Sequence, residues 1–345
     1  MRVPVFAIDV GYGSTKYTYR DSQGSVITGM FPSLAPLAPI GMLSGWNQRV
    51  SAVRKAAVIT INRIEYEVGP DVSITAAHGW TGSALCDDYA LTGNYAALLF
   101  GAAYFAGVTH VERLVLGLPV HLKEKYSSAI RQQFLGENRF GADSVTIDEV
   151  TVVSQPLGTL MHAANSRQSD FRHDEAHLVV DVGYFTTSWI WANGLTIDDS
   201  RSGGMRSGTW DICKCIADHI SRDENETVDN IERIDRAIRE KSSYLFYGKD
   251  IDLGPYLDLA TPIIANAARR LQSHLGSSPN VSSIILSGGG AALYANAVQQ
   301  AFPDTLLEVI PSPHLANAYG YLIVGEIQHA RERRVDRRNP QSKPT

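Results

Sequence analysis

Two carboxylates 172 residues apart, Asp9 and Asp181, sit in nearly the same sequence context. Asp9 ends the apolar run Val3 to Ile8 and leads into Val10, Gly11, Tyr12, Gly13, Ser14, Thr15 and Lys16. Asp181 ends His177-Leu178-Val179-Val180 and leads into Val182, Gly183, Tyr184, Phe185, Thr186 and Thr187. Each copy reads as strand, tight turn, strand, because alternation resumes after the hydroxyl residues. Glycines at such a tip let backbone N–H groups approach a phosphate closely, since no Cβ intervenes. Lys16 adds a point charge for the same phosphates. An aspartate repels phosphate, but it can hold Mg²⁺ through water, and the metal then bridges to a nucleotide. A repeat at half the chain length indicates two related domains facing each other, so two aspartate-ended hairpins can pinch one triphosphate from both sides.

The elements that must carry these tips follow the apolar patterning. The chain alternates in Ala57 to Ile61 and Ile64 to Val68, joined by Asn62-Arg63 as a hairpin, within a small inserted subdomain of about 32–86 that holds Trp80. Residues 34–50 read as loop. A buried helix is expected from Tyr95 to Ala106, a buried strand over Arg113 to Leu118 stopped by Pro119, and an amphipathic helix from Lys123 to Leu135. Ser144 to Val153 reads as one strand, Thr159 to Asn165 as a helix, and Trp189 to Gly194 as the strand after the second tip. Gly203 to Gly208 reads as the turn into a helix beside that tip, with Gly204 counted among its nucleotide contacts. Val228, Ile231, Ile234 and Ile238 lie at helical spacing, and Gly254-Pro255 opens a long helix. Ser283 to Leu286 is a third buried strand, ending in Gly288, Gly289 and Gly290 before another helix. Strands feeding helices twice over give an α/β layered fold.

Composition narrows the partners. The 345 residues carry 44% hydrophobic content, enough for two cores, and a net charge of −5, which offers no general attraction to nucleic acid. Charge is uneven: the chain from Arg331 onward is +4 and the remainder −9. That end reads as a disordered basic tail over 336–345, usually solvated, with a weaker reading as a contact for DNA, lipid or an adaptor. Three cysteines (Cys86, Cys213, Cys215) make neither a disulfide framework nor a zinc site and fit a reducing cytoplasm. The ten histidines share no metal spacing, and Trp189, Trp191 and Trp210 read as core or subunit contacts. The run Ala96 to Val108 is too short to span a bilayer.

The motifs together resemble those of the actin/hexokinase/Hsp70 superfamily, and their spelling is similar to bacterial ParM/StbA-type actin-like ATPases. Residues 9–16 look like the first phosphate motif, 181–187 the second, and Leu286-Ser-Gly-Gly-Gly-Ala291 the adenosine motif. Ser154-Gln155-Pro156-Leu157-Gly158 falls at the first interdomain connection and Ala316 to Tyr321, on a helix, at the second. A narrower likeness, to the D proteins of PRTRC-type mobile-element cassettes, rests on Phe31-Pro32-Ser33, Gly117 to Val120 and the second tip.

The resemblance implies an α/β actin-like ATPase fold of two related ribonuclease-H-like domains around a nucleotide cleft. Domain I would take 1–155 plus a returning helix of about 315–335; domain II would take 156–314 with a small subdomain at about 205–255. It implies ATP or GTP with Mg²⁺ organised by Asp9 and Asp181. Gly11, Tyr12, Gly13, Ser14, Thr15 and Lys16 would hold phosphates from one side, and Gly183, Tyr184, Thr186 and Thr187 from the other. Gly288, Gly289 and Gly290 would meet the base and α-phosphate. Arg239 and Glu240, in a segment similar to actin's purine and ribose contact, would lie near the nucleoside; a solvated helix face is an equal reading. Gln155 sits where the family places Gln or Glu to orient the attacking water, and a neutral amide orients water without taking its proton, so slow hydrolysis is expected. Beyond the fold, the resemblance implies filament assembly, an adaptor bound to a DNA site, and plasmid or mobile-element segregation. The competing readings are a small-molecule kinase, which needs an acceptor-site carboxylate absent from Val152 to Thr159; a chaperone ATPase, which needs a substrate domain beyond the second connection; and a non-polymerising scaffold.

Overall fold

The structure, a computed structural model, describes residues 1–38, 54–72, 87–167, 171–276 and 281–338. Trp80, Cys86, most of the 34–50 loop and residues 339–345 lie outside the described residues.

The chain opens with β1 (Arg2–Val10), β2 (Ser14–Arg20) and β3 (Val26–Pro32), an antiparallel meander in which Asp9 pairs with Lys16. The hairpin β4 (Ala57–Ile61) and β5 (Ile64–Val68) follows; its turn residues Asn62 and Arg63 both have positive φ, the backbone a two-residue turn needs. Helix α1 (Gly93–Ala106) is apolar around its circumference and buried almost throughout, starting on a Thr92 cap and ending on Gly107 at φ 65°. Then come β6 (His110–Leu118), α2 (Val120–Phe134), β7 (Gly136–Phe140), β8 (Asp143–Ile147) and β9 (Val150–Ser154). The expected single strand over 144–153 is therefore two, both parallel to β6, broken between Ile147 and Val150. The first sheet runs β3-β2-β1-β6, with β9 and the β8–β7 pair both on β6.

Helix α3 (Gln155–Ser166) leads to the second sheet: β10 (Ala176–Val182), β11 (Thr187–Asn193) and β12 (Thr196–Met205). Gly203 and Gly204 belong to β12, paired with Trp189 and Ser188, and do not form the expected turn. A Cβ at Gly203 would meet the Trp189 ring at 2.8 Å, so this strand carries glycine to pass under a large side chain. Helices α4 (Thr209–Glu224) and α5 (Ile231–Glu240), the hairpin β13 (Tyr244–Phe246) and β14 (Lys249–Ile251), and the long α6 (Gly254–Leu275) form one layer on it. The chain ends with β15 (Val281–Ser287), α7 (Ala291–Ala301), β16 (Leu306–Val309) and α8 (Ala316–Arg338). The second sheet runs β12-β11-β10-β15-β16.

The two sheets thus repeat one plan: an antiparallel meander whose first strand is followed sideways by two parallel strands. β1 and β10 are buried on both faces, which is why they read as unbroken apolar runs. Each helix between the halves crosses over. α3 packs Leu160 and Ala163 on the second sheet, against Val179, Ile190 and Ile285. α8 returns to pack Tyr321, Leu322 and Val324 on the first, against Val5, Ala7 and Val115. The two helices meet where glycine permits it: a Cβ on Gly320 would stand 1.7 Å from the Gly158 carbonyl oxygen. α8 runs to Arg338, so 336–338 continue the helix instead of starting a tail.

Candidate nucleotide-binding cleft

The repeated tips are superimposable in their bonding as well as their sequence. Gly11 N–H donates to the Ser14 carbonyl (3.2 Å), and Gly183 N–H donates to that of Thr186 (2.8 Å). Val10 pairs with Thr15 as Val182 pairs with Thr187. The threonines are fully buried staples: Thr15 Oγ1 lies 2.9 Å from Ser33 Oγ, and Thr187 Oγ1 donates to the Ser207 carbonyl (2.7 Å). Their hydroxyls hold the hairpins to the next strand and are not directed at the cleft. Gly13 and Tyr184 stand tip to tip, since a Cβ on Gly13 would lie 3.5 Å from that of Tyr184. Tyr12 meets Phe185 edge-on at 5.0 Å and stacks on Tyr89 at 4.7 Å. The shared tyrosine of the two motifs therefore lies where the tips touch.

Both aspartates lie at the floor, where β1 and β10 end. Lys16 Nζ bridges Asp9 Oδ2 at 3.1 Å. Among the described residues Asp9 Oδ1 is buried without a hydrogen-bond partner, and so are the hydroxyls of Tyr95 and Tyr321, both of which feel the Asp9 charge. Burial first, and the Asp9 carboxylate second, push the Asp181 carboxyl up to about 6; hydrogen bonds from Asn317 and Ser287 and the Lys16 charge pull it back. Two neighbouring buried carboxylates, one with an open oxygen and one disfavoured as an anion, fit a divalent cation held through water: added positive charge relieves both defects. Among the described residues no cluster of three or more metal-ligating side chains exists.

One wall of the cleft is a cavity of about 410 Å³ lined by Tyr12, Gly13, Ser14, Tyr184 and, from α5, Glu232, Asp235, Arg236, Arg239 and Glu240. α5 buries Ile231, Ile234 and Ala237, so its charged face is the one turned to this cavity. Arg239 and Glu240 line this cavity and are both exposed to solvent. Arg239 bridges Asp235 at 2.9 Å, and burial raises the Asp235 carboxyl. On the other side Gly288 adopts φ 86°, and a Cβ there would sit 2.2 Å from the Val182 carbonyl oxygen and 2.5 Å from Asp181 Oδ1. Gly290 N–H donates to that same carbonyl at 3.0 Å, while Gly289 has open space around it. The glycine run thus seats directly on the Asp181 strand end.

Gln155 is half-buried as the first residue of α3, following the buried Ser154 at the end of β9. Thr186 lines a separate cavity of about 180 Å³ with Tyr12, His121, Arg206 and Trp210. Gly204 lies beneath His121, whose Nδ1 would be 2.7 Å from a Cβ placed there, one strand away from the tips. Residue reasoning missed His314, held close enough to Lys16 and Arg239 for both charges, after burial, to lower its pKa. It also missed that Asn317, Thr159 and Ser287 converge on Asp181: Ser287 and Asn317 lie in motifs singled out above, but nothing in those motifs shows that they meet.

Two family models match the chain: Actin like proteins N terminal domain over residues 7–158, and Archaeal actin homologue MreB-like, C-terminal, over 179–300. No curated protein matches it in sequence. Among solved structures, a 15-stranded ParM filament from Clostridium botulinum is 19% identical, with 95% of this chain and 100% of that chain covered and a TM-score of 0.72. Ta0583, an archaeal actin homolog in complex with ADP, is 18% identical over 94% and 99%, with a TM-score of 0.70. The AlfA filament bound to AMPPNP is 16% identical over 96% and 99%, with a TM-score of 0.60. With an actin-like domain in its first half and an MreB-like actin-homologue domain in its second, the chain belongs to the actin-like proteins.

Proposed function

We propose that the chain is an actin-like ATPase that binds Mg-ATP between its halves, assembles into filaments in that state and hydrolyses the nucleotide slowly, in the segregation of plasmid or mobile-element DNA. The observation that carries the nucleotide reading is the pair of aspartate-ended tips, alike in bonding and facing each other over two buried carboxylates. Filament similarity of the relatives supports the assembly reading, and the family resemblance supports segregation through a DNA-bound adaptor.

The chain's own groups divide the work. Backbone N–H groups of the tips, from Tyr12 to Ser14 and from Tyr184 to Thr186, bind phosphate oxygens, while the Gly11 and Gly183 N–H groups close the turns; Lys16 offsets the phosphate charge. Gly288 to Gly290 lie against the nucleoside end, and Arg239 and Glu240 close that wall. Asp9 and Asp181 hold the water shell of Mg²⁺, which when bound neutralises β- and γ-phosphate charge. Gln155 orients a water by hydrogen bonding without accepting its proton, and burial of the floor excludes other water.

Purified protein mixed with Mg-ATP is expected to give a light-scattering rise and pelletable polymer, followed by slow phosphate release. Protein that stays monomeric and phosphorylates a sugar or acid instead would sink the filament reading. Gln155→Ala is expected to slow phosphate release with nucleotide affinity unchanged; equal loss of both would make the residue structural.

A further inference from the structure

We infer that Asn317, on α8, is a positioning residue for Asp181: it fixes the carboxylate for the metal-bound nucleotide and ties that carboxylate to the packing of the two halves. This rests on the nucleotide-cleft reading above.

Asn317 Nδ2 donates to Asp181 Oδ2 at 2.9 Å, in a contact where both residues are buried. Its other end is held as well: Thr159 Oγ1, on α3, donates to Asn317 Oδ1 at 2.8 Å. Thr159 is itself 2.7 Å from Ser287 Oγ, at the end of β15, and the Ser287 hydroxyl also hydrogen-bonds Asp181. With Asp181 ionised, Asn317 and Ser287 donate to the carboxylate and Thr159 donates to Asn317, which fixes the amide orientation, because only the nitrogen can serve a carboxylate and the oxygen is left for the donating hydroxyl. Asp181 Oδ2 is taken up by this amide. Asp181 Oδ1 lies beside Gly288, at 2.5 Å from where a Cβ would be, on the side of the glycine run. The carboxylate plane is therefore set by α8 together with the end of β15, not by its own hairpin, whose cross-strand partner Ser188 has no hydrogen-bond partner for its hydroxyl among the described residues.

The location gives the contact its reach. α8 packs on the first sheet, and Asn317 lies one turn before Gly320, where α8 touches α3 at Gly158. A Cβ on Gly158 would meet the Asn317 carbonyl oxygen at 2.6 Å. The carboxylate of the second half is thus oriented by a helix anchored in the first, at the point where the two connections cross. Outer-shell partners of this kind typically change metal affinity by about 10–100-fold when lost.

The test is a titration of a fluorescent ADP analogue, once in EDTA and once across a range of Mg²⁺, on the full chain. For Asn317→Leu, a near-isostere without the amide, the Mg²⁺ concentration at half-effect is expected to rise about 10–100-fold with affinity in EDTA unchanged. Thr159→Val, which leaves the amide untethered, is expected to shift the same midpoint in the same direction by less, and it keeps the proposal testable if the Leu variant fails to fold. A packing role would move both arms together, and that result, or midpoints equal to wild type in the folded variants, overturns the inference. Wild-type protein that binds the analogue with no Mg²⁺ dependence overturns the cleft reading itself, a different outcome.

Discussion

Asp181 lies at the site's most costly position. Its carboxyl is pushed up to about 6 in the fold, against about 3.9 in an unfolded chain. Between those values the folded state keeps a proton that the unfolded state has lost, so stability falls as pH rises through that window. In metal-free protein at neutral pH the full cost is present, on the order of 3 kcal/mol. Asp181→Asn is therefore expected to raise the thermal midpoint of metal-free protein at neutral pH and to change it little at pH 4; the reverse ordering would mean that the carboxylate is stabilising. Gly288→Ala should do the opposite. The left-handed backbone alone costs about 1–2 kcal/mol, and the overlap with the Val182 carbonyl adds to it, so the denaturant midpoint should drop and nucleotide binding be lost. A midpoint equal to wild type would show that the strand end can yield. At this scale the sequence announced the residues whose role is local. Asp9, Lys16, Asp181 and the glycines are legible because a turn brings them together within a few positions. Asn317, Thr159 and His314 are not, because their meaning comes from contacts made across the whole chain.

Among the elements, periodicity worked where one face of a helix or strand is buried and failed where the chain bends without a change of composition. The α5 stripe and the β4–β5 turn were readable; the break between β8 and β9 was not, because Asp148-Glu149 interrupts an alternation that continues on both sides. The hairpin β13–β14 was missed for another reason. Its turn is Tyr247-Gly248, both at positive φ (45° and 79°), a backbone for which Asn-Gly is the usual signal. Tyr247 is 77% exposed, so its ring returns little of that strain. Tyr247→Asn is expected to raise monomer stability by up to about 1 kcal/mol in denaturant unfolding, since Asn tolerates the left-handed region. A fall in stability would assign the ring a packing role. At the crossing of α3 and α8 the sign reverses: Gly320→Ala would place a Cβ 1.7 Å from the Gly158 carbonyl oxygen and force the helices apart, and a large loss of soluble, cooperatively unfolding protein is expected.

For the molecule as a whole, what holds the halves at the tips decides how nucleotide and assembly can be linked. Among the contacts that bridge them beyond the helix crossing, two differ in kind. One is the ion pair of Arg206 with Asp87 at 2.6 Å, whose side chains are 65% and 50% exposed, so water and salt screen it and its contribution is small. The other is the aromatic chain Tyr89, Tyr12, Phe185 and Trp210, with successive ring centroids 4.7, 5.0 and 5.6 Å apart. Of these, the Tyr12–Phe185 pair crosses between the halves and the others brace it from either side; such a pair contributes about 0.5–1.5 kcal/mol beyond the area it buries, and salt does not weaken it. The aromatic contacts should therefore dominate. Phe185→Ala is expected to enlarge the radius of gyration of nucleotide-free protein in small-angle scattering, while Arg206→Ala, or high salt on the wild type, changes it little. Because phosphate must enter between tips that touch, the same Phe185 variant should take up Mg-nucleotide faster and release it faster in stopped-flow measurements. The opposite ranking, with Arg206 dominant and a strong salt dependence, would put the coupling of the halves in the ion pair and leave the aromatic residues as packing.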